Sequence, residues 1–591
     1  MSYRFRMPYQ PPVSSRELAL YPRMTRWFGL TLLVKLAWRV AIAELFGRFA
    51  DGRLMVAALD KSTEADHAAA AVAHLPGGAD EAFTLDDDGA LWVDYIADLG
   101  DGFDATFAIA SLLAREKLTI GGHATQRGRL LVMGGDEVYP LASPENYQRR
   151  LRDPYDWAFP DPDPESDAGP LVYAIPGNHD WYDGLVIFLG LFTRRDRLHL
   201  GGWRSRQGRS YFALQLTRDW WLWAVDAQLD DTIDQPQRDY FSAIAEAMEP
   251  DARVILCGPE PGWLYTRDPD SKSLDVYDLI GDILRAKCPR AQIPLVLSGD
   301  THHYSRYIGQ TSGVQFVTAG GGGGFLEATH QLKDEIAINR GDPNVALEWT
   351  GDKTLLHAYD ATTGEPAAWP SRAESRAMLR GVLAFSFLNP GFAAALGCIY
   401  ALFGLVALGI GHLAAAGLAL VVATASFHDY TRRQEGPRAR VKLLSFANGV
   451  AHSLAFVALV EIFLRLAPLS PSEPVINAAM LLAWLAFAGG VTAGTLFGVY
   501  LYISSRWLDI GHVDAFSAMR RDSHRHFLRL RIKDDEVTVY PIGLARTPRR
   551  NEWRENPAPS PAEPSAFLAD PPLEARLIET PFAARATQAL P

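Results

Sequence analysis

Two hydrophobic patterns divide the chain. Between residues 90 and 325, apolar runs of strand length recur at Leu91–Ile96, Leu130–Met133, Leu171–Ile175, Trp220–Val225, Val254–Leu256, Ile293–Leu297 and Val314–Val317. Runs this short and apolar predict strands buried on both faces. Several are followed by polar or glycine-rich loops, the place where α/β enzymes commonly put their chemistry. From Gly381 the pattern changes, and no Asp, Glu, Lys or Arg appears before Phe427. That stretch exceeds two spans of about 20 residues each. Asn389-Pro390 near its start and Gly409-Ile410-Gly411-His412 in its middle break it into a helical hairpin. Leu443–Val460 and Pro474–Ser505 are two further uncharged runs, so four transmembrane helices are predicted within 381–505. Glu461 and Arg465 are spaced to pair at a membrane interface, and His452 to hydrogen-bond to a neighbouring helix.

The flanks of the bundle are less uniform. Trp27–Gly47 is apolar but carries Lys35, Arg39 and Glu44, so residues 1–50 read as a segment with an interfacial or packed helix. After the bundle, residues 506–555 contain Leu528–Ile532 and Val537–Val539 on either side of Lys533-Asp534-Asp535-Glu536, a β-hairpin pattern expected to pack on the soluble domain. Residues 556–591 are rich in Pro and Ala without periodicity and predict a disordered tail. Basic residues alternate about the spans. Arg372, Arg376 and Arg380 precede the first, Arg432, Arg433, Arg438, Arg440 and Lys442 separate the second and third, and Arg506 follows the fourth, with only Arg465 on the other side. Since Lys and Arg collect on the cytoplasmic side, the chain is expected to be an integral membrane protein whose soluble domain, residues 51–370, is cytoplasmic.

Composition adds exclusions. The 591 residues are 48% hydrophobic and 21% charged, which rules out a disordered or fibrous chain. A net charge of -12 argues against nucleic acid as the main partner. The mean hydropathy of -0.04 is an average over the two patterns.

Candidate chemistry lies in four loops of the soluble segment. These are Asp98-Leu99-Gly100-Asp101, Gly135-Asp136-Glu137-Val138-Tyr139, Gly177-Asn178-His179-Asp180 and Gly299-Asp300-Thr301-His302-His303. Carboxylates and an amide with a few imidazoles suit Mn, Fe, Zn or Mg, and the absence of nearby thiolates argues against a structural zinc site. Each loop alone occurs in ordinary turns. Their order after successive strands carries the inference. Gly320–Gly324 predicts a close backbone approach to the site.

That ordered set resembles the calcineurin-like metallophosphoesterase superfamily over residues 90–325, and its first two motifs resemble the purple acid phosphatase variant. The resemblance implies an α/β fold, a β-sandwich flanked by helices, with two divalent or mixed-valence metal ions (Mn, Fe or Zn) at the strand ends. It implies Asp98, Asp136, Tyr139 and His302 as ligands of the first ion, and Asp136 bridging to a second held by Asn178. His179 would serve as acid or charge stabiliser beside the substrate, oriented by Asp180. The usual first histidine of the fourth motif is here Asp300, with His303 as an extra imidazole. A further ligand histidine is replaced in Pro259-Glu260-Pro261, leaving Glu260 or Cys257 as substitutes, and Asp101 is an additional candidate. The implied reaction is hydrolysis of a phosphate mono- or diester by a hydroxide bridging the ions. The substrate would be a phosphorylated small molecule or, given the membrane anchor, a lipid phosphate. The alternative is a catalytically degenerate domain that binds metal or ligand and signals through the bundle.

Overall fold

A computed structural model describes residues 10–585, apart from 47–52, 54–55, 58–59, 61, 80, 162, 164–165, 167, 194–197, 228–232, 267–271, 339–345 and 433–437. Arg433 and residues 586–591 of the expected tail therefore lie outside the described residues. Two compact units result. One gathers residues 1–25, 38–371 and 522–591, and the other residues 26–37 and 372–521.

Two sheets, each nine-stranded among the described residues, build the first unit. The first sheet holds β1 (Leu91–Ile96), β2 (Leu130–Met133) and β3 (Leu171–Ala174), which run parallel. The second holds β4 (Trp220–Ala224), β5 (Arg253–Gly258), β6 (Gln292–Ser298), β7 (Tyr304–Gly309) and β8 (Gln315–Ala319). Side chains alternate across each strand with the period of two that a pleat imposes. Val93, Tyr95, Leu130 and Val132 meet Leu222, Ile255, Leu295 and Val317 in one core between the sheets. Leu131, Met133 and Val172 turn the other way, toward the helix Phe103–Ala114. On the second sheet, Trp221, Trp223, Val254 and Leu256 face the helices Gln235–Ala247 and Asp275–Lys287. Trp220 turns into the core between the sheets, so the tryptophans of β4 pack on both faces. The architecture is mixed α/β, two sheets sharing a core with helices outside.

The chain re-enters this unit after the apolar helices. β9 (Arg525–Lys533) and β10 (Glu536–Leu544) form the expected hairpin around Asp534-Asp535, with Lys533 opposite Glu536. β9 pairs antiparallel with β1, so the first sheet is completed by residues more than 400 positions downstream. Arg529 clamps it there, its guanidinium 2.7 and 3.1 Å from the two oxygens of buried Asp94.

The expected disordered tail is overturned for residues 556–585. Phe582–Arg585 adds a strand to β10, and Ala575–Leu577 adds another. Glu579 is buried and accepts from Arg306 at 2.9 and 2.6 Å and from the Tyr304 hydroxyl. The Pro/Ala bias misled because short edge strands need few hydrogen bonds, and one buried ion pair supplies the anchor that periodicity does not record.

In the second unit, four helices are long and apolar enough to cross a membrane, within Pro390–Ile410, His412–Arg432, Arg440–Leu466 and Pro474–Leu508. The first begins at Pro390 rather than Gly381, because proline suits the first helical turn and breaks continuation from Leu388. Small residues permit close packing, and a Cβ added to Gly397 would lie 2.0 Å from the Ala486 carbonyl oxygen. Arg465 lies 3.6 Å from Glu461, which also meets His412 at 3.3 Å. His452 bonds the Tyr400 hydroxyl at 2.9 Å. Phe28, just ahead of the helix Leu30–Phe46, packs among Phe385, Phe392 and Phe497. The predicted 506–555 segment divides at residue 521, because Asp514 and Ala518 bond Tyr430 and Asn389 within this unit.

Replacing Glu579 by alanine leaves Arg306 buried and unpaired, and is expected to lower the stability of the soluble unit by about 3–5 kcal/mol. Denaturant unfolding followed by tryptophan fluorescence reads this directly. An unchanged midpoint would show that the tail is not seated.

Candidate metal centre

Parallel strands bring their C-terminal ends to one edge, and the candidate side chains gather at that edge and at the neighbouring β6–β7 turn. Asp98 follows β1, Asp136 follows β2, Asn178 and His179 follow β3, and Asp300 and His302 lie between β6 and β7. Asp98, Asp136 and Asp300 each hold a left-handed backbone, with φ of 57°, 55° and 66°. Such a conformation costs an L-residue roughly 1–2 kcal/mol, and Asp tolerates it better than most. Strain of this kind concentrates where a side chain must leave the line of its strand.

Neighbouring glycines make the crowding feasible. A Cβ on Gly177 would lie 2.1 Å from Asp136 Oδ1. Along the Gly320–Gly324 run, a Cβ on Gly320 would lie 2.0 Å from Asp98 Oδ2, and one on Gly323 1.7 Å from the Leu99 carbonyl oxygen. The run is the expected close approach.

Asp98, Asp136 and His302 are buried and offer ligand atoms that all lie within 4.8 Å of one another. The Tyr139 hydroxyl sits among them, 3.1 Å from Asp98 Oδ1, 2.8 Å from Asp136 Oδ2 and 2.8 Å from His302 Nε2. His302 Nδ1 is 2.7 Å from the Phe325 carbonyl oxygen. A carbonyl only accepts, so Nδ1 carries the proton and the Nε2 lone pair of the neutral ring faces the cluster. A single phenolic proton cannot serve three acceptors.

Electrostatics sharpen the point. Burial, then the charges of Asp136 and Asp300, push the Asp98 carboxyl well above the ordinary carboxylate range. Burial with Asp180 and Asp300 does the same to Asp136. The Tyr139 phenol is likewise raised, by burial and both aspartates, while burial lowers the His302 imidazole to about 3. Asp98 Oδ2 and Asn178 Oδ1 are buried without a protein partner. Two carboxylates, a phenol and an imidazole lone pair, with acceptors left over, fit a cation of the Fe, Mn or Zn kind. The four residues expected around a first ion are thus together.

Around a second position the picture is partial. Asn178 lies in the chain between Gly177, which packs on Asp136, and His179, whose amide donates to Asp136 Oδ1 at 2.9 Å. The Asp300 amide donates to Asp98 Oδ1 at 3.1 Å, and Asp300 Oδ2 accepts from the Tyr265 hydroxyl at 2.7 Å. Asp300 therefore borders the cluster without joining its three closest residues.

Other candidates have different occupations. Asp101 is buried but accepts from the Thr25 amide at 2.8 Å and faces Arg150 at 3.8 Å, so it anchors a loop. Cys257 points into the core between the sheets, as its odd position in β5 dictates. Glu260 is not in the cluster, and its carbonyl accepts from the Tyr277 hydroxyl. His303 is also outside it, a buried ring whose imidazole is lowered to about 3 by burial and by His357.

The pairing of His179 with Asp180 also needs correction. Asp180 spends its oxygens on the amides of Glu137 and Gly177, at 3.2 and 3.0 Å, and on the Tyr147 hydroxyl. The group that orients His179 is the Pro140 carbonyl, 2.8 Å from Nδ1. Burial lowers this imidazole to about 4.

Four residues of the site had no assigned role in the sequence. Glu137 is fully buried beside Asp180, Tyr265 donates to Asp300, and Tyr182 packs edge-on against the His179 ring. Arg525, from the far end of the chain, is fully buried. It donates to the Ser523 carbonyl at 3.0 Å and to that of Gly324, and has no ion pair among the described residues. Asp522, Asp101 and Asp98 are the negative charges that act on it. Only Glu137 carried a local signal, its place between Asp136 and Tyr139.

A pH prediction follows from these shifts. Carboxyls raised above their unfolded values favour folding while protonated, and that contribution is lost as pH climbs through their raised folded values. Chelator-treated protein should therefore lose thermal stability from the ordinary carboxylate range upward, and added Mn²⁺ should flatten the decline. Differential scanning calorimetry at stepped pH tests it, and a metal-free stability that rises toward pH 8 would contradict it. Among known proteins, no family model matches the chain and no curated protein matches it.

Proposed function

We propose that the soluble unit is a metal-dependent phosphoesterase that hydrolyses a phosphate mono- or diester. The observation that supports this is the convergence of Asp98, Asp136 and His302 on the Tyr139 hydroxyl at the ends of separate strands. Such a set is built to balance concentrated positive charge, and among the described residues no cationic side chain forms an ion pair with Asp98 or Asp136. The order of the four loops agrees with the metallophosphoesterase resemblance. Asp98, Tyr139 and His302 would hold one ion, Asp136 would touch two, and Asn178 with Asp300 would complete the second position. Bound ions would supply an activated water and neutralise phosphoryl charge.

The chain's own residues do the rest. His302 is locked in its ligand tautomer by Phe325, and the glycine run keeps side chains out of the space beside Asp98. His179 lies against the Tyr139 ring at 4.5 Å, where an arriving phosphoryl group would meet it. The second position is richer in oxygen than the family pattern, with Asp300 in place of an imidazole, which favours a harder cation there.

Four helices able to cross a membrane in the same chain favour a lipid phosphate over a freely diffusing substrate, since anchoring raises the local concentration of a substrate held in the same surface. The alternation of basic residues supports a cytoplasmic soluble unit. Labelling of Ser472→Cys by a membrane-impermeant maleimide in intact cells, in a Cys398→Ala background, is the expected result. Labelling only after lysis would reverse the orientation.

The activity is tested on detergent-purified full-length protein, by elemental analysis beside turnover of aryl phosphate mono- and diesters. Chelation should abolish turnover and Mn²⁺ or Fe²⁺ restore it, while Asp136→Asn should lower it more than about 100-fold with loss of bound metal. Metal-loaded protein that binds phosphate without turnover would leave a binding domain and overturn the enzyme.

A further inference from the structure

Three tyrosines lie in or beside the metal centre, and their hydroxyls differ in commitment. Tyr139 is engaged by Asp98, Asp136 and His302. Tyr265 donates to Asp300 at 2.7 Å. Tyr182 has no hydrogen-bond partner for its hydroxyl among the described residues, and its side chain is only partly buried. Its ring stands edge-on to His179, with centroids 5.0 Å apart at 77°. The backbone holds it there, because Tyr182 caps the turn Asn178–Trp181 and the Gly184 amide closes the next turn on the Trp181 carbonyl at 2.8 Å.

We propose that the Tyr182 hydroxyl is the neutral donor that contacts a phosphoryl oxygen of the substrate in this site. The inference rests on the phosphoesterase reading for its substrate, and on the structure for its geometry. A phosphoryl group at the carboxylate cluster would meet His179 on one side. The Nδ1 of that ring is already committed to the Pro140 carbonyl, which leaves the ring no more than its Nε2 edge for such a group. An anionic phosphoryl oxygen accepts from several donors, and the Tyr182 O–H, uncommitted beside the His179 ring, supplies one. A phenol ordinarily titrates near 10 and burial raises this one further, so the group is protonated through the neutral range. The role is therefore hydrogen-bond donation without proton transfer, and no acid–base step is assigned to it.

Trp181, its neighbour, is occupied elsewhere. Its indole N–H donates to buried Asp226 at 3.2 Å and its ring lies under the Arg53 guanidinium, which holds the turn rigid behind Tyr182. A phenol fixed in this way loses little side-chain freedom when an oxyanion arrives.

The test uses full-length, detergent-purified protein loaded with Mn²⁺, with inorganic phosphate as the binding probe and bis(p-nitrophenyl) phosphate as substrate. For Tyr182→Phe we expect unchanged manganese content and unchanged thermal stabilisation by Mn²⁺. Phosphate affinity measured by calorimetry should fall about 10-fold, and kcat/KM about 10- to 100-fold, as loss of a hydrogen bond to a charged group predicts. Equal phosphate affinity in Tyr182→Phe and the unmodified protein would overturn the assignment. If the unmodified protein binds Mn²⁺ and phosphate but turns over no ester, the phosphoesterase reading fails, and the phosphate affinities of the two proteins still decide the role of Tyr182.

Discussion

Like charges held close together where water does not reach are the constraint on which the soluble unit depends. Asp98, Asp136, Glu137 and Asp180 are all buried, with Asp300 at their border. Unbalanced, such a set opposes folding, since each carboxylate gives up hydration and repels the next. The surrounding structure is arranged to tolerate it. Three aspartates adopt left-handed backbone, a glycine run opens space beside Asp98, and amides of Glu137, Gly177 and His179 point at carboxylate oxygens. None of these devices balances the charge, which is why a cation is the natural completion.

The path of the chain carries a second consequence. The strand that closes the first sheet against β1 comes after the apolar helices, so that sheet is finished only when residues beyond 522 have been made. Arg529 on Asp94 and Glu579 on Arg306 are buried ion pairs that help secure this late segment. Breaking a buried pair by removing one member is far more costly than losing a surface pair. The same segment delivers Arg525, whose buried guanidinium feels the charges of Asp522, Asp101 and Asp98. Completion of the fold and completion of the site's electrostatics are therefore one event.

The helical unit follows different rules. In a bilayer no water drives helices together, and close contact at small residues such as Gly397 and Gly490 suits that setting, as does the polar pairing of Tyr400 with His452 across helices. Glu461 gathers His412 and Arg465 near helix ends, where charge is least costly.

Much of this was legible along the chain. Seven buried strands, the β9–β10 hairpin and the four long apolar helices follow from runs of residues, because hydrophobic periodicity is local and the strands and helices are local responses to it. The loops bearing Asp98, Asp136, Tyr139, Asn178 and His302 were legible too, since glycine beside a carboxylate or amide marks a sharp turn that presents a side chain. Tertiary structure alone decided which groups meet. It showed Asp101 anchoring a loop, Cys257 turned into the core, and His179 oriented by a carbonyl rather than by its neighbour Asp180. It also ordered the Pro/Ala-rich tail and brought Arg525 to the site across several hundred residues. Those outcomes depend on partners distant in sequence, and burial that arises between distant segments leaves no mark on either one alone.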